Sequence, residues 1–178
     1  MTPQGKTRIE AFDPLVHDRN SFSCGVEAVD NFLKRTAAKL TRADNLRVFA
    51  MVEGEAFLGF YALNAHAIEY EELPPAFARS RPGHGSIPAA FISMIGIDSR
   101  FQGRGYGGDL LTDALIRVAR ASDQIGIAVV ILDIIDCGNP DAVARRKRLY
   151  EGYGFRSLAS RPSRLFLPVA TFRQSIPR

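Results

Sequence analysis

The sequence predicts an α/β fold with a mixed sheet, because strand and helix patterns alternate along the second half of the chain. A nearly continuous apolar run at residues 89–97 is bounded by turn-forming residues, which is typical of a central strand covered on both faces. A glycine-rich stretch and an amphipathic helical pattern at 106–123 follow it, and a second apolar run at 127–135 comes next. This order fits neither a helical bundle nor a β-sandwich.

The other elements are predicted in the same way, from periodicity and from turn residues. A helix that extends to about residue 42 begins after Phe22-Ser23-Cys24-Gly25, because apolar residues then recur at three- and four-residue spacing. Proline and glycine concentrate at 69–88, which indicates a long loop that holds a short helical turn. The remaining predictions are strands at 8–12, 46–52, 56–66, 155–158 and 164–169, and a helix at 141–150.

Composition and charge exclude several classes of protein. The 178 residues are 46 % hydrophobic and 24 % charged, which favours one compact domain spanning 1–178. No apolar run approaches the roughly 20 residues of a membrane helix, and the first residues lack the apolar stretch of a signal peptide, so we expect a cytoplasmic protein. Cys24 and Cys137 are too few for a disulfide framework or a zinc-finger pattern, and we expect no metal. The formal charge of +4 favours anionic partners.

The glycine-rich stretch between the central strand and the next helix is chemically suited to a pyrophosphate. Glycines let the backbone approach a phosphate closely, and a helix N-terminus presents N–H groups and a positive dipole. Arg104 adds a charge beside them. A dinucleotide-binding fold would place such a turn near the N-terminal strand, a P-loop would require Gly-Lys-Ser/Thr, and a connector without a ligand is the remaining alternative. The predicted contacts are Gln102, Gly103, Arg104, Gly105, Tyr106, Gly107 and Gly108.

Two motifs carry a resemblance to a known enzyme superfamily. Gln102-x-x-Gly105-x-Gly107 resembles the Q/R-x-x-G-x-G/A signature of GNAT acetyltransferases, and the segment from Leu149 to Phe155 resembles their L/F-Y-x-x-x-G-F element. The resemblance covers nearly the whole chain. It implies a GNAT fold with acetyl-CoA as cosubstrate, in which a mostly antiparallel sheet splays at the coenzyme site and is flanked by about four helices.

The same resemblance implies roles for four further residues. Backbone groups of Ile95, Gly96 and Ile97 would contact the coenzyme, because a glycine inside a buried strand often marks a bulge; packing against a helix is the alternative reason for that glycine. Tyr150 would donate a proton to the departing sulfur. The chain departs from the family at 136–148, which is about one helical turn longer than usual, so no role is carried over to Asn139.

No side chain stands out as a general base, since His17, His66 and His84 are scattered along the chain. An α-amine, with a pKa near 7.7–8.0, needs less help with deprotonation than a lysine side chain near 10.4. The missing base therefore favours an α-amine as the acceptor.

The N-terminal segment is similar to the opening of GNAT-type toxins from bacterial toxin–antitoxin operons. Phe22-Ser23-Cys24-Gly25 and the residues up to Leu33 follow their F-x-C-G-x-x-x-L-D-x-F-L pattern, with Val29 in place of a leucine. This similarity implies aminoacyl-tRNA as the substrate and a ribbon-helix-helix antitoxin as a partner, with a homodimer as a further expectation. A GNAT enzyme acting on a small-molecule or protein amine, and a non-catalytic acyl-CoA-binding module, are the alternatives. Basic residues suited to tRNA contacts are Lys34, Arg35, Lys39, Arg79 and Arg145.

Overall fold

The computed structural model describes residues 6–78 and 85–176. A π-helical turn, Phe32–Thr36, joins the first two helices, and 3₁₀ turns occur at Tyr70–Glu72 and Ser99–Phe101. The strands are β1 (Arg8–Ala11), β2 (Arg47–Glu53), β3 (Ala56–Glu69), β4 (Ser86–Ile97), β5 (Val129–Asp133), β6 (Arg156–Ser157) and β7 (Arg164–Pro168). The helices are α1 (Glu27–Asn31), α2 (Ala37–Arg42), α3 (Pro75–Ala78), α4 (Tyr106–Ser122), α5 (Pro140–Gly152) and α6 (Val169–Arg173).

The seven strands form a sheet in the order β1-β2-β3-β4-β5-β7-β6. The pairs β1–β2, β2–β3, β5–β7 and β6–β7 are antiparallel, and β4–β5 is parallel. The predicted mixed, mostly antiparallel sheet is therefore confirmed. The pairing of β4 with β5 runs from Ala89↔Val129 to Ile92↔Leu132, so it ends before the last residues of β4.

The chain divides into two compact units. The first unit is Met1–Asn64 with Ser93–Asp113, and the second is Ala65–Ile92 with Ala114–Arg178. Strands β3 and β4 and helix α4 each run from one unit into the other.

An aromatic core holds the N-terminal helical segment of the first unit. Val29, Leu33 and Ala37 are buried at the helical spacing that the sequence predicts. The Phe32 ring stacks on Phe60 at 6.1 Å, and Phe22 meets the same ring edge-on at 5.3 Å. The π-helical turn between α1 and α2 inserts an extra residue into the ladder, a distortion that often marks a functional site.

The core of the second unit lies between strands β3, β4, β5 and β7 and the long loop after β3. The buried aliphatic and aromatic residues of this core are Ile68, Leu73, Ile87, Ala89, Val129, Ile131, Leu158 and Phe166. Helix α3 in the loop contributes Phe77, whose ring packs edge-on against Phe166 at 5.4 Å. Leu73 and Phe77, in the described part of the loop, thus add apolar contacts to this core.

Candidate functional site

Residues 102–105, which we call the glycine turn, lead into helix α4, as the sequence predicts, and they follow the 3₁₀ turn Ser99–Phe101. Gly103 has φ +77° and Gly105 φ +86°, and a Cβ at either position would meet no atom within 4 Å. Conformation rather than crowding therefore requires glycine here, and the space beside the backbone is open. The 17-residue helix α4 begins at Tyr106, so the positive end of its dipole lies at the turn. The N–H groups of Gly108 and Asp109 donate to the Gly105 carbonyl at 3.0 and 3.3 Å.

Two guanidinium groups flank the entrance to the turn. Arg104 lies over the Phe101 ring at 5.6 Å, and Arg100 lies over the same ring at 5.4 Å. Arg100 is also paired with Asp98 through Nε at 2.8 Å. Arg104 is exposed, so its charge is available to an anion at the turn.

Gln102 contacts the protein itself through its side-chain amide. Its Nε2 donates to the backbone oxygens of Cys24 at 2.8 Å and of Ile97 at 2.9 Å. This amide nitrogen is therefore engaged by two carbonyls. A contact of Gln102 with a phosphate would have to come from its backbone N–H.

The segment Ile95–Ile97 at the end of β4 is packed closely on both sides. A Cβ at Gly96 would lie 3.1 Å from Val29 and 3.4 Å from the Cys24 sulfur, so the N-terminal helical segment gives this glycine a packing reason. A Cβ at Gly59 on β3 would lie 2.6 Å from the Gly96 carbonyl oxygen and 2.5 Å from Ile97. The sequence reasoning missed Gly59, although a lone glycine inside an apolar strand was a signal of close backbone approach.

Cys24 is not suited to act as a nucleophile. Burial and a hydrogen-bonding contact with Asp30 raise the pKa of its thiol to about 12. Since the thiolate is the reactive form, this cysteine is chemically inert at neutral pH. It serves instead as a packing residue against Gly96.

Tyr150 lies in the last turns of α5, in the second unit. It is 5 % exposed, and its ring meets Phe155 edge-on at 6.3 Å. Burial raises the pKa of the Tyr150 phenol to about 12, although Arg146 acts in the opposite direction. The phenol is thus neutral and keeps its proton throughout the physiological range. The N-terminus of the same helix is capped by the Asn139 side chain, which accepts from the Ala142 N–H at 3.2 Å.

Two of the three histidines lie in described segments, and only His17 is buried. His17 is 6 % exposed; its Nδ1 accepts from the Asp13 N–H at 2.9 Å, and its ring stacks on Phe12 and Phe57. His66 is exposed, with its ring 5.2 Å from Phe91. His84 lies outside the described residues.

The basic residues expected to contact substrate occur in both units. Lys34 and Arg35 lie in the π-helical turn and Lys39 in α2, with Arg35 and Lys39 exposed. Arg145 is exposed on α5 in the second unit. Arg79 lies outside the described residues.

The fold also makes guanidinium–aromatic pairs that sequence inspection did not reveal. In the second unit, Arg156 lies over the Phe77 ring and Arg164 over the Phe91 ring, each at 5.3 Å. Asp133 holds Arg164 through two hydrogen bonds of 2.7 and 2.8 Å. Aromatic rings and guanidinium planes are groups on which unpaired RNA bases stack.

Within residues 6–78 and 85–176, no three His, Cys, Asp or Glu side chains are grouped so that they could hold a metal ion. Across the same ranges, no helix has the length and apolar character needed to cross a membrane.

Searches against known proteins find close relatives along the chain. Probable toxin TacT of Sinorhizobium fredii (strain NBRC 101917 / NGR234) is 58 % identical over 174 residues, which are 97 % of this chain and 96 % of that protein. The tRNA-acetylating toxin of Mycobacterium tuberculosis (strain ATCC 25618 / H37Rv) is 30 % identical over 115 residues, 65 % of this chain and 68 % of that protein. No family model matches the chain.

Solved structures of the same kind share the fold. AtaT complexed with acetyl-methionyl-tRNAfMet superposes with a TM-score of 0.82 at 26 % identity, covering 96 % of this chain and 99 % of that one. AtaTR bound with AcCoA gives a TM-score of 0.78 at 26 % identity, covering 95 % and 97 %. With the sequence match to TacT along almost its whole length, these findings show that the chain belongs to the family of GNAT-type tRNA-acetylating toxins.

Proposed function

We propose that this chain transfers the acetyl group of acetyl-CoA to the α-amine of aminoacyl-tRNA and thereby blocks translation. The observation that carries the proposal is the near full-length match to the toxin TacT. The glycine turn that immediately precedes helix α4 is consistent with it. The tRNA-acetylating relative and the AtaT complexes with acetyl-methionyl-tRNA and with acetyl-CoA support the same assignment.

The glycine turn fits the pyrophosphate of the coenzyme. The backbone at Gly103 and Gly105 borders open space into which a side chain would project, and the N-terminus of α4 favours negative charge. Arg104 supplies a cation beside it. Through this turn the protein would bind and orient acetyl-CoA, with further contacts from the backbone of Gly107, Gly108 and Tyr106.

Acetyl-CoA supplies an already activated thioester, so the protein needs no nucleophile of its own. The amine nitrogen attacks the carbonyl carbon, the carbon–sulfur bond breaks, the amine gives up a proton, and the departing sulfur gains one. Backbone N–H groups at Ile95–Ile97 would stabilise the oxyanion that develops on the carbonyl oxygen. Holding the neutral amine in place supplies much of the remaining rate.

Tyr150 would serve the departing sulfur as a hydrogen-bond donor. Its phenol is neutral, because burial raises its pKa to about 12, so the proton is in place at any physiological pH. The acceptor amine needs no dedicated base, since an α-amine near pKa 7.7–8.0 already has a neutral fraction at neutral pH.

Charge distribution supports an RNA substrate. The second unit, which contains Tyr150, holds 13 of the 23 Lys and Arg residues and 8 of the 19 Asp and Glu residues, a formal charge of +5, whereas the first unit carries −1. Arg145 is exposed on the helix that carries Tyr150. Arg156, which is exposed beside the Phe77 ring, offers a guanidinium plane on which an unpaired base can stack, whereas the Arg164 side chain is only 11 % exposed and is held by Asp133. Lys34, Arg35, Lys39 and Arg79 remain proposed contacts to the phosphate backbone.

The proposed reaction has consequences for domain organisation, location and partners. We place the enzyme in the cytoplasm, where charged tRNA is found, and treat residues 1–178 as one acetyltransferase domain. A toxin of this kind requires a neutralising partner, for which the N-terminal similarity implies a ribbon-helix-helix antitoxin. Co-purification with the product of the adjacent gene and light scattering of the isolated toxin test the antitoxin and the homodimer.

Transfer of labelled acetyl from acetyl-CoA to purified tRNA tests the proposed function. Charged tRNA should become labelled and the same tRNA without its amino acid should not. Activity should fall steeply with added salt, because each phosphate contact releases counterions. Acetylation of a polyamine or peptide with no charged tRNA modified would leave a different amine as substrate. Coenzyme binding without any turnover would point to a non-catalytic module.

A further inference from the structure

The Phe22-Ser23-Cys24-Gly25 element has no part in the proposed chemistry. Side chains nevertheless bind both the backbone N–H and the backbone carbonyl of its Cys24. The Cys24 N–H donates to Asp30 Oδ1 at 2.9 Å, and the Cys24 carbonyl accepts from Gln102 Nε2 at 2.8 Å. The same nitrogen of Gln102 donates to the Ile97 carbonyl at 2.9 Å. One residue of the N-terminal segment is thus tied to helix α1 and to the chain on both sides of the 3₁₀ turn.

A second set of bonds secures the neighbouring residue. The Ser23 N–H donates to Asp98 Oδ2 at 3.2 Å, and the Ser23 carbonyl accepts from the Ser99 N–H at 2.9 Å and from its hydroxyl at 3.0 Å. The Ser23 hydroxyl donates to Asp30 Oδ2 at 3.3 Å. Asp30 therefore contacts two consecutive residues of the element.

Asp98 is well suited to be a fixed point of this network. It is 1 % exposed, and its N–H donates to the Leu58 carbonyl at 2.8 Å, which joins it to β3. Burial alone would raise the pKa of Asp98, but hydrogen bonds from Arg100 and Ser23 outweigh this and hold the pKa below its ordinary value. The carboxylate stays charged and keeps its acceptors in use.

These bonds converge on the short segment between the end of β4 and the glycine turn. Asp98 and Ser99 follow Ile97 directly, and Gln102 immediately precedes Gly103. Gly103 and Gly105 border open space at the Cβ position, and the Gly105 carbonyl accepts from the N–H groups of Gly108 and Asp109 in α4. The residues that lead into the turn hold its other end.

We propose that Asp30 and Gln102 are positioning residues for acetyl-CoA, which act through Cys24 to hold the glycine turn in its binding geometry. This inference rests on the proposed function, in which the turn binds the coenzyme pyrophosphate. A preorganised turn binds more tightly because less conformational freedom is lost on binding. The N-terminal signature and the glycine motif then contribute to the same coenzyme-binding site, although Cys24 and Gln102 lie 78 positions apart in the sequence.

Calorimetric titration of acetyl-CoA into three variants tests the proposal. Gln102→Met keeps the length of the side chain but removes the donor, Asp30→Ala removes both acceptors, and Asp30→Asn keeps an acceptor for the Cys24 N–H. Loss of the two bonds that each side chain makes should raise the Kd for acetyl-CoA roughly three- to tenfold in Gln102→Met and in Asp30→Ala. Asp30→Asn should bind close to wild type. Gln124→Met, an exposed glutamine in the second unit, is the matched control.

The combination of variants separates positioning from general destabilisation. Because both side chains hold the same residue, the double variant Gln102→Met/Asp30→Ala should bind about as weakly as either single variant rather than with multiplied effects. The kcat at saturating acetyl-CoA should change by less than about twofold, so that the loss appears in KM. If wild type does not bind acetyl-CoA, the proposed function fails. If wild type binds and folded Gln102→Met and Asp30→Ala bind equally well, or Asp30→Asn is as weak as Asp30→Ala, the positioning role is refuted.

Discussion

Replacement of Tyr150 by phenylalanine tests what its hydroxyl does for the departing sulfur. The hydroxyl could transfer its proton to the sulfur, or it could donate only a hydrogen bond. Burial raises the pKa of this phenol to about 12, whereas an ordinary thiol has a pKa near 8.5. The two values differ by about 3.5, so complete proton transfer from the phenol to a thiolate would cost about 5 kcal/mol. In the proposed reaction we therefore expect Tyr150 to act mainly by donating a hydrogen bond to the charge on sulfur. Such a bond contributes about 1.5–3 kcal/mol, which corresponds to a kcat loss of roughly 10- to 150-fold in Tyr150→Phe.

Single-turnover transfer of labelled acetyl to charged tRNA measures this loss where chemistry limits the rate. Tyr153→Phe is the matched control, since Tyr153 lies three residues further on and is 38 % exposed. Wild-type kcat should show no alkaline decline below about pH 10, because the raised pKa preserves the neutral phenol well above that pH. Tyr150→Phe should bind acetyl-CoA as wild type does. An unchanged rate, or a wild-type alkaline limb near pH 9 that vanishes in the variant, would contradict this reasoning.

Three further substitutions or reactions test other parts of the structure. Gly59→Ala should lower the free energy of unfolding by roughly 3 kcal/mol in denaturant titrations, because the new Cβ would lie 2.6 Å from a backbone oxygen. Gly126→Ala is the control and should change this free energy little, because a Cβ at Gly126 would meet no atom within 4 Å. Gly105→Glu should abolish detectable acetyl-CoA binding in calorimetry while Gly126→Glu binds normally, and equal affinities would remove the coenzyme from the turn. Iodoacetamide at pH 8 should label native Cys24 far more slowly than Cys137, since the pKa of the buried Cys24 thiol is about 12. Mass spectrometry measures the labelling, and rapid modification of both cysteines in the folded protein would refute this prediction.

Elements whose boundaries are marked by neighbouring residues in the sequence were predicted well. The glycine turn and α4 were located within a residue of their observed limits, because glycines end the strand pattern and an apolar stripe starts at once. Helix α6, Val169–Arg173, was missed, since its first residue continues the apolar pattern of β7 and was assigned to that strand. β3 extends to Glu69, beyond the predicted end at residue 66, because Ile68 is the one buried side chain in its last four residues and a single buried residue does not mark a strand pattern.

Long-range contacts were beyond the reach of sequence reasoning. Gln102 was predicted as a pyrophosphate contact, but the two acceptors of its side-chain amide, the carbonyls of Cys24 and Ile97, could not be read from the sequence. Gly96 illustrates the same limit, because either a bulge or a closely packed helix can require a glycine inside a strand. Only the contacts of its position with Val29 and Cys24 show that close packing is a sufficient reason for this glycine. The assignment of catalytic and coenzyme contacts stays a prediction, because it came from motif similarity.

The distribution of charge bears on how the substrate is held. The overall charge of +4 hides a division in which the first unit, with Lys34, Arg35 and Lys39, carries −1 and the second carries +5. A net-neutral or acidic unit contributes little to the long-range field that attracts a polyanion, although individual exposed lysines still contact phosphates. We therefore expect attraction of tRNA to depend mainly on the unit that contains Tyr150 and Arg145. We expect the proposed contacts of Lys34, Arg35 and Lys39 to position a bound tRNA more than they raise its affinity, since phosphate contacts position a nucleic acid without reading its sequence.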